Sequence, residues 1–506
     1  MKTPLIIRDF LERAAGVYGQ RVGIVDEPLQ PAKPLESLTY GDVRRLAMAQ
    51  AAGLDQAGIE LGQRVAIVSK NAARLLISFF GVSGFGRVLV PINFRLKPDE
   101  VKYIVEHSGA EMLLVDAELN ESLSDVQCAR RIVLDEAGDK EMYCNDAAPV
   151  PWEGDEDSTA TINYTSGTTA RPKGVQLTHR NLWINSVVFG LHSRVSDRDV
   201  YLHTLPMFHC NGWGMPYVLA SFGVPQVVLR QVVGDEILRR VEQHGVTLMC
   251  GAPTVAGMIL DAAKRWQGPI PGRDRVRMIV AGAPPPTKLI ERMESELGWE
   301  FIQIYGLTET SPLLTMNHCR AEYDELSPHD RAAKLTRAGS PTLGVQLDVD
   351  DDGEVLARSN VVLEGYWNDP QASEAAFQGG WFHTGDGGQI DDENYLVICD
   401  RKKDVIISGG ENVSSIEVED TLFSHPAVAE VAVIGVPDEK WGETVKALVV
   451  LAADNSATAD ELIEFCRQHL THFKCPTTVE FRDELPRTAT GKLQKYKLRA
   501  RYWEQE

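Results

Sequence analysis

Short apolar runs rich in β-branched residues alternate with segments of helical periodicity along most of the chain. Such runs are typical of buried strands, and apolar residues spaced three and four apart are typical of helices. One helix of this kind is predicted over residues 71–80. Because strands that alternate with helices usually pair in parallel, the pattern predicts an α/β fold with largely parallel sheets. The predicted strands cover residues 64–69, 111–116, 131–135, 160–163, 226–230, 247–251, 277–282 and 301–306.

The pattern changes near residue 400. Just before this point, residues 353–365 and 385–394 are rich in turn formers and fit small β elements. After it the pattern is a compact α/β one, with helices predicted over 415–424 and 459–470 and strands over 431–436 and 446–451. We therefore place a large N-terminal domain at residues 1–399 and a small C-terminal α+β domain at residues 401–506.

The apolar segments are too short for a membrane protein. The most apolar stretch, residues 75–86, is well below the ~20 residues that span a bilayer. The N-terminus carries charges within its apolar pattern, so we expect an amphipathic helix and not a signal peptide. The eight cysteines form no CxxC pair, which argues against a zinc ribbon or a thioredoxin-like site. A cytoplasmic protein with reduced thiols is expected.

The charge balance excludes one class of partner. The 506 residues contain 51 Lys and Arg against 72 Asp and Glu, a formal net charge of −21. A general nucleic-acid binder needs basic surface to neutralise phosphates, so this class is excluded. A small anion can still bind where positive charge is concentrated locally. Basic residues do cluster, around Arg171 and Lys173, at 401–403 and along 492–501.

The most informative string is YTSGTTARPKG at residues 164–174, which follows a predicted strand. Its glycines permit tight turns, its hydroxyl side chains can donate to phosphate oxygens, and Lys173 adds positive charge. It lacks the GxxxxGK[ST] spacing of a Walker A loop. The string therefore predicts a phosphate-binding loop of another type.

Five further strings occur downstream: AGAP at 281–284, YGLTET at 305–310, WFHTGD at 381–386, DRKKDVIISGGEN at 400–412 and PRTATGK at 486–492. Together with the phosphate loop, they make the chain resemble the adenylate-forming superfamily over nearly its whole length. Within it, the fatty-acyl-CoA synthetase branch, for medium or long chains, is the most similar. The resemblance implies Rossmann-like α/β subdomains plus a small β-barrel in the N-terminal domain. It also implies a mobile C-terminal domain that rotates about a hinge at Asp400.

The resemblance implies a binding site for ATP and Mg²⁺. The tyrosine of YGLTET stacks on adenine in the family, its glutamate helps hold Mg²⁺, and the TGD aspartate reaches the ribose. Mg²⁺ prefers carboxylate, hydroxyl and phosphate oxygens, so Glu309 and Thr165 are suitable ligands. The residues implied to contact ATP or AMP are Thr165, Ser166, Gly167, Thr168, Thr169, Lys173, Gly282, Ala283, Pro284, Tyr305, Gly306, Thr308, Asp386, Arg401 and Lys492.

The remaining implied roles concern catalysis, the acyl group and CoA. Lys492 would bridge the attacking carboxylate and the α-phosphate, and stabilise charge in the transition state. The string LPMFHCNGWG at 205–214 would place His209 and Trp213, with Gly282, at the acyl pocket. Gly409 and Gly410 would line the pantetheine tunnel of CoA. The implied catalytic set is Lys492, Glu309, Thr165 and His209.

Two positions depart from the family pattern. Ala170 stands in the phosphate loop where most members have glycine. If that position needs a positive φ, alanine costs roughly 1 kcal/mol, which we expect the loop to tolerate. Residues 347–357 form a shorter segment than is usual there, which we interpret as a structural trim.

The reaction implied is an acyl-CoA ligation that uses ATP, Mg²⁺ and CoA. A carboxylic acid, expected to be a medium- or long-chain fatty acid, would form acyl-AMP and pyrophosphate, and the acyl group would then pass to CoA. Three alternatives remain open. The acid could be aryl or steroid, the acceptor could be an amine or a carrier-protein thiol, or the protein could bind nucleotide without turnover. A homodimer is a further expectation from the family.

Overall fold

The computed structural model describes residues 2–165, 171–401, 404–408, 411–438, 440–453, 455–488 and 493–503; the side chains of residues 400 and 401 are outside this description. In the described residues the strands are β1 Val22–Val25, β2 Ser37–Thr39, β3 Arg64–Val68, β4 Val88–Ile92, β5 Ala110–Asp116, β6 Arg130–Leu134, β7 Thr159–Thr165, β8 Lys173–Thr178, β9 Tyr201–His203, β10 Gln226–Val228, β11 Leu248–Gly251, β12 Arg277–Val280, β13 Glu300–Gly306, β14 Leu313–Asn317, β15 Ser340–Pro341, β16 Val345–Val349, β17 Glu354–Ser359, β18 Gly365–Tyr366, β19 Phe382–Ile390, β20 Leu396–Arg401, β21 Ile406–Ser408, β22 Glu411–Val413, β23 Val428–Asp438, β24 Gly442–Leu451 and β25 Thr478–Phe481.

Helices separate most of these strands. They are α1 Arg8–Tyr18, α2 Tyr40–Gln56, α3 Ala73–Gly81, α4 Pro98–Ser108, α5 Glu136–Met142, α6 His179–His192, α7 Cys210–Trp213, α8 Met215–Phe222, α9 Gly234–His244, α10 Pro253–Ala263, α11 Thr287–Arg292, α12 Pro328–Leu335, α13 Pro370–Ala376, α14 Ser415–Phe423, α15 Ala459–His469 and α16 Lys495–Trp503. In the part of the chain that the structure describes, no helix is both long and apolar enough to cross a membrane.

Two large sheets form the N-terminal part. The seven-stranded sheet has the order β18-β8-β7-β4-β3-β5-β6, and the nine-stranded sheet has the order β15-β14-β13-β12-β11-β9-β10-β1-β2. Their central strands are parallel, whereas the pairs β7–β8, β13–β14 and β1–β2 toward the edges are antiparallel. The prediction of an α/β fold with largely parallel sheets is therefore confirmed.

Both faces of the central strands are buried, which explains their continuous apolar runs. Along β3, Val65 and Ile67 enter the largest apolar cluster, while Ala66 and Val68 enter a second cluster on the opposite face. The alternation follows from the two-residue period of a strand. The largest cluster also takes residues from β11 and β13, so it lies between the two sheets. The two sheets thus share one core.

A four-stranded antiparallel sheet of order β16-β17-β19-β20 follows the two large sheets. It forms an open, partial version of the small β-barrel that the resemblance implies. The TGD aspartate, Asp386, lies on β19 opposite Arg401 of β20. This sheet therefore brings together two of the residues expected at the ribose.

The C-terminal part has a five-stranded sheet in which β22, β21, β24 and β23 are neighbours and β25 pairs with β24. It packs with α14 and α15 around its own apolar cluster, which includes Ile406, Val433 and Leu462. On α14, Asp420 accepts hydrogen bonds from the backbone N–H of Thr287 at 2.8 Å and its hydroxyl at 2.9 Å. The α+β fold of this part is as expected. The boundary at residue 400 and the rotation stay predictions.

Candidate active site

The phosphate-loop string lies between two paired strands. Thr165 is the last residue of β7 and Lys173 is the first of β8, and the two are directly opposite in the antiparallel register. Residues 166–170, which include Ser166, Gly167, Thr168, Thr169 and Ala170, lie outside the described residues. The structure therefore places the two ends of the loop side by side, with a hydroxyl on one strand and an ammonium on the other.

Lys173 and Glu309 both contact the side chain of Tyr366. The Nζ of Lys173 lies 4.9 Å from the centre of the Tyr366 ring. The hydroxyl of Tyr366 donates to Oε1 of Glu309 at 3.1 Å. Burial, and secondarily the nearby Glu309 charge, raise the pKa of Tyr366, so its hydroxyl keeps its proton and acts as a donor. A cation and a carboxylate are thus held on two sides of the same side chain.

Glu309 is positioned by a tight turn that follows β13. Residues 308–310 form a single 3-10 turn, and the backbone N–H of Leu363 donates to the carbonyl of Glu309 at 2.7 Å. At Gly306 the chain passes so close to β14 that a Cβ would lie 1.6 Å from the carbonyl oxygen of Pro312. Only glycine fits there, which explains this residue of the YGLTET string.

Tyr305 and Asp386 form the second contact of the site. The hydroxyl of Tyr305 donates to Oδ2 of Asp386 at 2.9 Å. Asp386 is 7% exposed, and its backbone pairs with that of Arg401. The side chain of Arg401, like that of Asp400, is outside the described residues. The nucleoside-binding residues expected from three separate strings therefore converge at one place.

The AGAP string follows the carboxyl end of β12, as expected for a site at the ends of parallel strands. Gly282 has φ +92°, a left-handed conformation that ends the strand, and no atom lies within 4 Å of where its Cβ would be. Ala283 and Pro284 follow it. The backbone here faces open space, so a flat ligand can approach it closely.

The acyl-side string forms an unusual turn. Residues 210–214 all have positive φ, between 44° and 77°, so α7 is a single left-handed turn. The Sγ atom of Cys210 lies 3.9 Å from the carbonyl oxygen of Thr308, so the turn lies beside the YGLTET string. His209 directly precedes it and is half-buried. Trp213 is 5% exposed and belongs to the largest core cluster. The role of these two residues at an acyl pocket stays a prediction.

A buried polar triangle holds this turn in place. Asn163 donates to Oδ1 of Asn211 at 3.2 Å, Asn211 donates to Oγ1 of Thr161 at 3.0 Å, and Thr161 donates to Asn163 at 2.9 Å. Asn71 fixes the preceding residues, since its amide donates to the carbonyl of Leu205 at 3.0 Å. These hydrogen bonds compensate for the left-handed backbone of residues other than glycine.

Burial raises the pKa of the Cys210 thiol, with the Glu309 charge as the second cause. The thiol is therefore neutral and unsuited to act as a nucleophile.

Several expected residues are not tested by this geometry. Gly409, Gly410 and Lys492 lie outside the described residues, as do the five residues of the phosphate loop. Their roles in CoA binding, charge stabilisation and phosphate binding stay predictions.

Sequence reasoning missed Tyr366 and the polar triangle. Tyr366 lies in the two-residue strand β18, too short to be recognised by periodicity. For the triangle the only signal was Asn211 next to Gly212, a pair that favours left-handed backbone. Three-dimensional contact was needed to give either of them a place in the site.

Comparison with known proteins identifies the family. Residues 11–367 match the family model described as AMP-binding enzyme, and residues 417–492 match the AMP-binding enzyme C-terminal domain. The chain is 38% identical to 4-hydroxybutyrate–CoA ligase 2 of Metallosphaera sedula, over 98% of this chain and 94% of that protein. It is 36% identical to 2-methylpropanoate–CoA ligase CCL4 of Humulus lupulus, over 98% and 95%.

Solved structures agree with this result. O-succinylbenzoate coenzyme A synthetase of Bacillus subtilis, in complex with ATP and magnesium ion, is 28% identical and superposes with a TM-score of 0.80 over 97% of this chain and 98% of that one. A fatty acyl CoA synthetase of Mycobacterium tuberculosis is 32% identical, with a TM-score of 0.73 over 98% of both chains. The names do not confirm a medium- or long-chain fatty acid, because short-chain and aryl ligases are among them. The contacts of the site and these matches together show that the chain belongs to the family of AMP-binding enzymes.

Proposed function

We propose that this protein is an ATP-dependent acid–thiol ligase that joins a carboxylic acid to CoA through an acyl-AMP intermediate. The observation that carries the proposal is a pair of contacts. Tyr366 contacts Lys173 through its ring and Glu309 through its hydroxyl, and Tyr305, in the same string as Glu309, donates to Asp386. Together they supply positive charge and a carboxylate for a triphosphate at one end, and an aromatic–carboxylate pair for a nucleoside at the other. The CoA ligases among its relatives support the same activity.

In the first half-reaction a carboxylate oxygen attacks the α-phosphorus of ATP. A bond forms between that oxygen and phosphorus, the bond to the bridging oxygen breaks, and pyrophosphate leaves with the electron pair. Such transfers depend mainly on positioning and on stabilisation of developing negative charge. Lys173 supplies charge from the strand end beside Thr165, and Lys492 is proposed to add a second cation.

The donor set at this site fits a magnesium ion. The Glu309 carboxylate and the Thr165 hydroxyl are hard oxygen ligands of the type that Mg²⁺ takes together with phosphate oxygens. These two residues would hold the ion, which supplies neutralisation of phosphate charge when bound.

In the second half-reaction the CoA thiolate, whose proton has passed to solvent, attacks the acyl carbonyl carbon. The thioester bond forms, the bond to the AMP oxygen breaks, and AMP leaves. Gly409 and Gly410 are proposed to line the path of the pantetheine arm, after rotation of the C-terminal domain at Asp400. The chain's cysteines need no covalent part in either step.

For the acid we propose a short or compact carboxylic acid. The relatives named for 4-hydroxybutyrate and 2-methylpropanoate support this size class. Bulky buried side chains also flank His209, since Phe208 is 7% and Trp213 is 5% exposed. The second candidate, a medium- or long-chain fatty acid, is supported by the 32% identity with the Mycobacterium tuberculosis fatty acyl CoA synthetase.

The substrate is tested by steady-state assays with purified protein, ATP, Mg²⁺ and CoA across acetate, butyrate, 2-methylpropanoate, 4-hydroxybutyrate, benzoate, octanoate and palmitate. Acyl-CoA is identified by mass spectrometry, and Glu309→Gln is the inactive control. We expect kcat/KM to be highest among the acids of butyrate size. A maximum at palmitate would favour the fatty-acid candidate instead.

The same assay separates the alternatives for the acceptor. Acyl-AMP that accumulates in the presence of CoA, and is consumed only by an amine or a carrier protein, would overturn CoA as acceptor. ATP binding without any acyl-AMP would favour a nucleotide-binding protein without turnover. A cytoplasmic location and a homodimer stay predictions.

A further inference from the structure

Tyr366 touches both charged groups of the phosphate end of the site. Its ring lies under Lys173, with 4.9 Å between Nζ and the ring centre, and its hydroxyl donates to Glu309 at 3.1 Å. Lys173 comes from β8 and Glu309 from the turn after β13, so the two groups belong to different sheets. Tyr366 is therefore the contact between a cation of one sheet and a carboxylate of the other.

The backbone of Tyr366 is itself fixed at this position. Strand β18 pairs with β8 in a register that sets Tyr366 opposite Val175, two residues after Lys173. The backbone N–H of Tyr366 donates to the hydroxyl of Ser373 at 2.8 Å. On the other side, Leu363 donates to the carbonyl of Glu309. Residues 363–366 thus hold both the tyrosine and the turn that carries Glu309.

The chemistry of a tyrosine suits this position. The face of an aromatic ring attracts an ammonium group without neutralising its charge, so Lys173 keeps its charge for phosphate oxygens. A neutral hydroxyl donor orients a carboxylate without adding a charge that would compete with a metal ion. A carboxylate between the two groups would instead pair with the lysine, and a lysine there would pair with Glu309.

We propose that Tyr366 is a positioning residue that sets the separation and orientation of Lys173 and Glu309 for the magnesium complex of ATP. The inference rests on the proposed function, because it takes the bound nucleotide to be the substrate of adenylation. It extends that function by dividing the role of Tyr366 in two. The hydroxyl serves the metal-binding carboxylate, and the ring serves the phosphate-binding cation.

Two variants separate these parts. Tyr366→Phe removes the hydroxyl and keeps the ring under Lys173, whereas Tyr366→Leu removes both. The readout is ATP affinity, measured by isothermal titration calorimetry over a series of Mg²⁺ concentrations, with neither acid nor CoA present. For Tyr366→Phe we expect a rise of about tenfold in the Mg²⁺ concentration at which half of the Mg²⁺-dependent gain in ATP affinity is reached. The ATP affinity without Mg²⁺ should stay within about twofold of the wild type. For Tyr366→Leu we expect the metal-free affinity to fall as well, by about threefold to tenfold.

A tyrosine outside the site provides the matched control. The hydroxyl of Tyr323 donates to Glu393 at 2.8 Å, in the same kind of contact, and Tyr323→Phe removes it. This control should bind ATP with the Mg²⁺ dependence of the wild type. If such hydroxyls have a purely structural role, Tyr366→Phe and Tyr323→Phe should change the Mg²⁺ dependence of ATP binding equally. Equal changes would contradict the proposal.

The outcomes also distinguish the inference from the proposed function. A wild type that binds ATP with Mg²⁺, together with an unchanged Mg²⁺ dependence in Tyr366→Phe, overturns the role of Tyr366 alone. A wild type that fails to bind the magnesium complex of ATP overturns both. If Tyr366→Leu does not fold, the nearly isosteric Phe variant still decides the role of the hydroxyl.

Discussion

At the scale of single residues, the buried polar side chains differ in how fully they are hydrogen-bonded. Asn211 both donates and accepts within the triangle beneath the left-handed turn. Within the part of the chain that the structure describes, Nε2 of His179 has no hydrogen-bond partner, and its Nδ1 accepts only a long contact of 3.5 Å from Ile7. A fully hydrogen-bonded side chain such as Asn211 fixes the local backbone geometry. A buried histidine such as His179, with one ring nitrogen unpaired, makes the free energy of unfolding depend on pH.

We expect acid to destabilise the protein through His179. Burial lowers the pKa of His179 from 6.5 to about 3, with nearby Arg8 as the second cause. Because the unfolded chain binds this proton and the folded chain does not, stability falls as the pH drops from about 6.5 toward 3. The loss is about 1.4 kcal/mol per pH unit in that window.

The measurement is the urea dependence of unfolding at several pH values between neutral and mildly acidic. His179→Phe, which keeps a flat aromatic ring and removes the titration, should flatten the dependence by about 1.4 kcal/mol per pH unit. Burial lowers the pKa of His203 to about 4, offset in part by its hydrogen bond with Gln226. His203 is present in both proteins, so its own contribution to the pH dependence remains in His179→Phe. An equal slope in wild type and His179→Phe would rule out this origin of the acid sensitivity.

The role of a residue could be predicted only where the residue has a chemically reactive or charged side chain and lies in a motif that resembles one of the family. The roles of Glu309, Asp386 and Tyr305 were predicted in this way and stay predictions, while the structure brings the last two within hydrogen-bond distance. Tyr366 could not be predicted, because a Gly-Tyr pair has no chemical signature and its charged partners, Glu309 and Lys173, lie 57 residues or more away along the chain. Its place depends on the pairing of β18 with β8, which is a property of the sheet.

At the scale of elements, periodicity predicted the strands that are apolar on both faces. Each of the eight strands expected in the N-terminal part is present. The strand expected over 277–282 ends at Val280, because Gly282 adopts a left-handed conformation. Strand β4 was missed because Pro91 lacks an N–H and is untypical of a central strand. The left-handed turn at residues 210–214 was missed because its local signal, Asn211 next to Gly212, is weak and its other residues depend on the polar triangle.

The turn after β13 is a second element that we expect to be intolerant of change. Gly306→Ala places a Cβ against the carbonyl of Pro312, at 1.6 Å if nothing moves, so the turn that carries Glu309 must shift. We expect a loss of stability of about 3 kcal/mol and an ATP affinity weakened about tenfold or more. Urea unfolding and calorimetric titration with ATP measure the two effects.

Gly257→Ala is the matched control for this prediction. Gly257 lies in helix α10, and no atom comes within 4 Å of its Cβ position. Alanine should stabilise the helix by about 0.5–1 kcal/mol and leave ATP affinity unchanged. If Gly306→Ala binds ATP as tightly as this control does, the turn is not the element that positions Glu309.

At the scale of the whole molecule, a net charge of −21 coexists with the proposed site for ATP, itself an anion. Positive charge need only be local, and Lys173 is held beside the end of the phosphate loop while its charge is left unneutralised by the Tyr366 ring. The two large sheets supply separate parts of the site, since β7 and β8 belong to one and β13 to the other, and the four-stranded sheet adds Asp386 on β19. This explains why strings far apart along the chain form one constellation. It also explains why the distances between them could not be predicted from the sequence.

The most direct test of the central claim is carboxylate-dependent exchange of labelled pyrophosphate into ATP, measured without CoA. This isotope exchange reports the adenylation step alone, so it does not depend on the acceptor. The wild type should catalyse exchange with at least one acid of the panel, and Lys492→Ala should lose exchange far more than it loses thioester formation from preformed acyl-AMP. Absence of exchange with every acid, in protein that binds ATP, would contradict the account.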